Sequence, residues 1–350
     1  MTMMEAVVTT DWHLDSFKRF FETKESGLDA QFKEIDKPFQ YAIEHGIKHV
    51  FMLGDIGEHP TLSDAAKQRL LTLLLKYDGL LNIYFITGNH DVADKESHSM
   101  TLFKCLADSK RFKSIYIYDS PHATEIDGIA VNFLPWPATS VEEQGSNEPE
   151  RACLNLAHVE LTGAMRDNGS VVEQSGITRH KKDYWIVGHL HTYQTGARFL
   201  YPGTGWQKNF GESGPKGFCL IKASYRDTAL VVKHEHIDAD PALKLFNLKN
   251  VTLEDFPKIS TDPRHLYRIT MAEGEQIPES IRQMPNVIQV ISHKGVLKDV
   301  AESEQDVRED FDYTEGLEQA LSHLTPEQVS RALDLVKQAL PILSHTASVA

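Results

Sequence analysis

Cysteine is scarce. Three residues in 350, Cys105, Cys153 and Cys219, are too few and too scattered for a disulfide framework and read as buried thiols of a reducing compartment. No apolar run approaches the roughly 20 residues that a membrane-spanning helix needs. The first residues show no charged-then-apolar leader, so a cytoplasmic location is expected. Positive charge is also in short supply, with 36 Lys and Arg against 50 Asp and Glu and a formal net charge of −14. That total argues against a nucleic-acid partner, but its distribution weakens the objection. Between Asp299 and Glu318 nine acidic residues stand against Arg308 alone, a local balance of −8 that leaves only −6 for the rest of the chain. Such a run reads as a solvated linker. With 41% hydrophobic and 25% charged residues, the remainder has the composition of a soluble globular protein. Its length suits one catalytic domain with a sizeable core and a smaller module.

What is present is a set of short apolar runs, each followed by metal-ligand chemistry. Glu5 to Thr10, His49 to Leu53, Asn82 to Thr87, Leu154 to Ala157 and Tyr184 to Val187 are rich in Val, Ile, Phe, Leu and Tyr without helical periodicity, as buried strands are. Between the first three lie amphipathic stretches, roughly Asp29 to His45 and Leu62 to Tyr77. They carry Phe32, Ile35, Phe39 and Ile43, then Leu70, Leu73 and Leu74, at helical spacing. Strand and helix alternate, which predicts a sheet covered by helices with functional loops beyond the carboxyl ends of its strands. All five segments are expected at one sheet edge.

Those ends carry Asp11-Trp12-His13, Gly54-Asp55, Gly88-Asn89-His90-Asp91, Ala157-His158 and Gly188-His189-Leu190-His191. A lone Asp-x-His or Gly-Asp is common in loops, and a single His in an apolar run, such as His158, is more often a core residue. Five such segments in this order are harder to explain as caps and turns. Asp11, His13, Asp55, Asn89, His158, His189 and His191 are too many ligands for one tetrahedral structural zinc. Two ions fit better. Mixed carboxylate, amide and imidazole donors suit manganese, iron or zinc, and magnesium less well. A pair of cations a few ångströms apart clamps a phosphate and activates water, which is phosphoester hydrolysis. Asp55, with two oxygens, is the natural shared ligand. His90, not needed as a ligand, is the candidate general acid, with Asp91 placed to orient it.

This order of motifs resembles the calcineurin-like metallophosphoesterases over roughly residues 5 to 192. The resemblance implies a four-layer αββα sandwich. It also implies one ion on Asp11, His13 and His191, a second on Asn89, His158 and His189, and Asp55 between them. Further on, Tyr201-Pro-Gly-Thr-Gly-Trp206, Phe210-Gly-Glu212 and Lys216-Gly-Phe218 resemble the segment that follows Gly-His-x-His in SbcD-type nucleases, and Leu134-Pro135-Trp136 resembles the phage members. These are nuclease subunits that work with an SMC-like ATPase in double-strand-break processing. The resemblance therefore implies a manganese-dependent DNA exonuclease and endonuclease, homodimeric within such a complex, in a bacterial or phage-infected host cytoplasm. The alternative is a phosphatase or small-molecule phosphodiesterase of the same superfamily. One departure is Glu58, three residues after Asp55, where cellular relatives carry a His linked to exonuclease cleavage; either His59 substitutes for it or the balance of activities differs. Arg179, His180, Lys181, Lys182, Lys208 and Lys216 are candidate phosphate contacts, and Trp206 a candidate base-stacking platform.

Beyond the catalytic domain, residues 1–238, the Asp238-Ala-Asp-Pro241 turn reads as a boundary. Residues 242–297, with strand-like runs at Leu245 to Leu248, Leu266 to Met271 and Val287 to Ser292, suggest a small α/β module, to which the resemblance gives a DNA-aligning capping role. After the acidic linker, 298–316, residues 317–350 place Leu317, Leu321 and Leu324, then Val329, Leu333, Val336, Leu340 and Leu343 at helical spacing. Thr325, Pro326 and Gln328 between them form a helix start. Two short amphipathic helices on a tether pack either on the body or on a partner, and the resemblance points to the coiled-coil base of the ATPase.

Overall fold

The computed structural model describes residues 3–298 apart from 17–19, 21–23, 95–96, 138–150, 176, 178–180, 213, 253, 256–258, 261, 263, 274–280, 282–283, 285 and 293–294. The acidic linker and helical tail expected beyond residue 298, and Arg179 and His180, lie outside the described residues.

The chain opens as alternating strands and helices: β1 (Met3–Thr9), α1 (Lys24–Glu44), β2 (His49–Leu53), α2 (Asp64–Tyr77), β3 (Asn82–Ile86), α3 (Thr101–Asp108) and β4 (Ile115–Tyr118). The four strands run parallel. β11 (Gly217–Arg226) returns antiparallel beside β1 and β12 (Ala229–Asp238) closes that edge, giving the order β12-β11-β1-β2-β3-β4. Successive strand residues point to opposite faces, so a strand buried on both sides must be apolar throughout. Val7, Val50, Met52, Ile83 and Phe85 accordingly pack under Ile35 and Phe39 of α1, Leu70 and Leu74 of α2 and Phe103 of α3. Their neighbours Ala6, Val8, Phe51, Leu53 and Ile86 face the other way.

That second face meets another six-stranded sheet, β5 (His122–Ile126), β6 (Ile129–Leu134), β7 (Leu154–His158), β8 (Tyr184–Gly188), β9 (Gln194–Gly196) and β10 (Phe199–Tyr201), in the order β5-β6-β7-β8-β10-β9. Val131, Phe133, Leu154, Leu156, Ile186 and Leu200 supply its half of the inner core. The outer face of this sheet carries Trp185, Val187, Phe199 and Tyr201 under Val159, Leu161, Ala164 and Val172. Among the described residues this outer cover is irregular chain rather than helix. Among the described residues the layers are helix, sheet, sheet and irregular chain.

The two-sheet arrangement corrects one expectation. The ligand segments do not share a single sheet edge: three follow β1, β2 and β3 of the first sheet, and two close β7 and β8 of the second. Reading strand runs one at a time carries no information on which sheet each joins. The sheets pack face to face, and the carboxyl ends of these strands bring their ligand segments together at one edge of the sandwich.

A third sheet, β13 (Lys244–Val251), β14 (His265–Met271), β15 (Val287–Ser292) and β16 (Gly295–Lys298), has its own core around Tyr267, Ile269, Met271 and Val290. It docks on the first sheet's core through Leu243, Leu245 and Leu266. The Gln207 amide grips both backbone groups of Leu245 at 2.9 Å each. The named elements of this module are strands, and among the described residues no helix is long and apolar enough to cross a membrane.

Candidate metal centre

The strand ends bring all seven expected ligands together. Asp11, His13 and His191 place ligand atoms within 4.8 Å of one another, and Asp55, His158 and His189 do the same. Asp55 lies between the two groups, with Oδ2 3.6 Å from His13 Nε2 and Oδ1 3.3 Å from His158 Nε2. Asn89 Oδ1 completes the second group, 3.0 Å from His158 Nε2 and 2.8 Å from His189 Nδ1. Asp11, His13, Asp55 and His158 are buried, while His189 and His191 reach the surface.

The backbone is bent to achieve this. Asp11, His13, Asp55 and His189 all adopt positive φ, at 54°, 44°, 52° and 96°, where a side chain crowds its own carbonyl. Hydrogen bonds hold them there: Asp11 N to Gly54 O at 3.0 Å, His13 N to Asp55 O at 2.9 Å, and His189 N to both Asp11 carboxylate oxygens at 3.1 Å. The glycines that precede Asp55, Asn89 and His189 leave room for one imidazole, since a Cβ on Gly54, Gly88 or Gly188 would collide with His158.

Behind the ligands stands a second set of partners that orients each ring. Glu58 Oε2 is 3.1 Å from His13 Nδ1 and 2.8 Å from Lys208 Nζ. Glu212 Oε1 is 2.9 Å from His191 Nδ1, and its other oxygen accepts from Lys216 Nζ at 2.7 Å. His158 Nδ1 donates to the Leu53 carbonyl at 2.7 Å. Burial alone would raise both glutamates, but each imidazole and lysine outweighs it and holds the carboxyls at about 2. Burial would lower His158, yet Asp55 beside it lifts that imidazole to about 9. Burial would likewise raise Asp55, and His158 with His13 keeps it far below the carboxylate range.

The donor set fits divalent metals on a further ground. His13 and His191 bring their Nε2 atoms to 3.1 Å from each other, with Glu58 and Glu212 behind their Nδ1 atoms. Two imidazole nitrogens converging beside the Asp11 carboxylate form a donor set suited to one shared cation. Imidazole, carboxylate and amide donors in this mixture suit manganese, iron or zinc.

Several expected roles change. Asp91 does not orient His90. Its buried carboxylate accepts from the backbone N–H of Ile56 (3.2 Å), Gly57 (3.0 Å) and Gly88 (2.8 Å) and from Ser99 Oγ (2.6 Å), tying the Asp55 and Asn89 loops together. His90 is oriented by the Glu58 carbonyl instead, 3.0 Å from its Nδ1, with its own N–H on Asp55 Oδ1 at 2.9 Å. Trp206 is buried and has no face for a base, and Lys216 is a buried ion-pair partner rather than a phosphate contact. Lys181 and Lys182 are exposed, and His59 points away into solvent while Glu58 takes the place beside His13. Glu212 and Leu53 were not singled out as partners of the ligands. Glu212 left one signal, a lone carboxylate in a glycine-rich segment; a backbone carbonyl leaves none.

With this geometry, the match of the calcineurin-like phosphoesterase family model to residues 4–193, more than half of the chain, has a physical basis, and the chain belongs to that family. It is also 25% identical to exonuclease subunit 1 of Enterobacteria phage T4, over 63% of this chain and 65% of that relative, less than two thirds of the relative's length. Looser structural likenesses are to GAP50, the anchor in the inner membrane complex of Plasmodium, and to a predicted phosphoesterase of Streptococcus pneumoniae. The first has 12% identity and a TM-score of 0.37, covering 68% of this chain and 85% of that one; the second has 14% and 0.30, covering 69% and 92%.

Proposed function

We propose that this chain is the nuclease subunit of a DNA-processing complex, a two-metal phosphodiesterase that degrades DNA from its ends and also cuts internally. What supports the proposal is the 25% identity with a phage exonuclease subunit, joined to two groups of side chains able to hold a metal ion. Asp11, His13 and His191 would hold one ion, Asn89, His158 and His189 the other, and Asp55 would serve both. When bound, two divalent ions supply positive charge for the phosphoryl oxygens and a water acidic enough to attack phosphorus at neutral pH, manganese being the expected metal.

The protein's own groups do the remaining work. His90 would keep its Nδ1–H on the Glu58 carbonyl, and in the imidazolium form its Nε2–H would pass a proton to the leaving oxygen, leaving the neutral ring. Asp91, through its bonds to Ile56, Gly57 and Gly88, fixes the Asp55 and Asn89 loops at their mutual distance and so acts as a positioning residue. Glu58 and Glu212 fix the rings of His13 and His191. The third sheet would help align DNA over the centre, and residues 317–350 would dock on the coiled coil of an SMC-like ATPase, with the complex assembled around a homodimer in a bacterial or phage-infected host cytoplasm.

A manganese-dependent digestion series on linear duplex, single-stranded circle and a generic phosphomonoester, with and without an SMC-like ATPase, tests the assignment. Nucleotides released from linear DNA are expected. Turnover of the phosphomonoester alone would replace the nuclease with a phosphatase.

A further inference from the structure

The chain has four tryptophans, and three of them, Trp12, Trp185 and Trp206, expose 2% or less of their surface. Trp136 exposes 37%. It stands two residues beyond the strand β6, between Pro135 and Pro137. Its place is defined by the centre: its backbone N–H donates to the Thr87 carbonyl at 2.9 Å, immediately before Gly88-Asn89. Its indole lies nearly parallel to the His189 imidazole, 10° between planes and 6.3 Å between centroids.

A single exposed apolar side chain is ordinary; what sets Trp136 apart is that its ring lies parallel to an imidazole of the candidate centre, where covering it with a flat apolar group would be favourable. The nearby charge is already matched. Glu160, 3.9 Å from His189 Nε2, is gripped by Arg166 through two bonds of 2.7 and 2.6 Å. What remains open is an apolar π-face, suited to a planar stacking group rather than to an ion.

We propose that Trp136 is the stacking platform for an unpaired nucleobase next to the scissile phosphate, on the Asn89, His158 and His189 side of the centre. The proposal rests on the nuclease assignment above and adds the form of substrate. A base inside a duplex has both faces covered by its neighbours, so a platform at the metal centre selects single strands and frayed ends. Stacking of this kind tolerates any base, because every base has a π-face. Trp136 is thus a positioning residue acting on the substrate, and its loss weakens binding more than chemistry.

The other indoles being buried, intrinsic fluorescence open to iodide reports Trp136. Oligothymidylate added to the metal-stripped full chain should quench that emission and shield it from iodide, whereas an abasic sugar-phosphate strand of equal length should do neither. In the manganese-loaded protein, Trp136→Ala should raise KM for single-stranded DNA about 5- to 100-fold with a smaller change in kcat, and Trp136→Phe should restore most of it. A wild-type protein that degrades DNA while its exposed emission ignores oligothymidylate overturns the platform alone, as does a Trp136→Ala variant with unchanged KM. A wild-type protein that degrades no DNA overturns the nuclease assignment and the platform with it.

Discussion

The two halves of the metal centre share Asp55 and differ in what stands behind their imidazoles. Around Asp11, His13 and His191 the supports are ionic: Glu58 and Glu212 back the rings, and Lys208 and Lys216 back the glutamates. Around Asn89, His158 and His189 the supports are looser: a main-chain carbonyl behind His158, an indole beside His189, and Glu160 no closer than 3.9 Å to His189 Nε2. The first half is also more closed, with the His13 side chain 1% exposed against 26% for His189. A carboxylate behind an imidazole makes it a more basic ligand than a carbonyl does. Under the proposed function, this difference predicts firmer metal retention in the first half and more contact with solvent and substrate in the second.

Three perturbations probe this division, in falling order of effect. His90→Ala should cut hydrolysis by about two to four orders of magnitude while both halves still take up manganese, because the side chain moves a proton and holds no ion. An unchanged turnover removes it from the mechanism, and lost metal makes it a ligand. Glu212→Gln should weaken the tighter of two manganese equivalents about 10- to 100-fold in a calorimetric titration and leave the weaker one in place. Equal weakening of both would erase the distinction between the halves. The smallest effect follows from His158, held at about 9 by Asp55 against burial. At neutral pH the metal-free ring carries a proton that a ligand must shed, so affinity at the second half should rise about tenfold per pH unit and level off above about 9. Titrations in buffers of different ionisation heat read the released proton directly. The sign reverses for the metal-free fold: a raised imidazole pKa means that the pairing with Asp55 stabilises it below the ordinary imidazole value and is lost as pH rises through about 9.

All seven candidate ligands could be picked out from the sequence because each sits at the end of a short apolar strand, where local pattern and chemistry coincide, and the fold brings them together. The strands themselves matched closely, His49–Leu53 residue for residue. What sequence could not convey was long-range. Whether β7 and β8 join the first sheet or face it depends on β5, β6, β9 and β10, short strands with little pattern of their own. Trp206 and Trp136 look alike as residues beside glycine- or proline-containing turns, and only packing decides that the first is core and the second is open. Lys216 likewise reads as a surface cation until Glu212 and Thr204 are seen around it. Asp91 follows His90 in sequence, yet its side chain points to the backbone of a loop 34 residues away rather than to its neighbour.

The left-handed backbone at Asp11, His13, Asp55 and His189 has a consequence for the history of such a chain. Each of the four occupies a conformation that glycine adopts freely and that costs another residue up to about 1–3 kcal/mol, comparable to a sizeable share of a domain's net stability. Substitutions that make the fold sturdier would therefore push these positions towards glycine, one relaxed loop at a time. Candidate ligands would persist at such angles only where what they bind outweighs that cost.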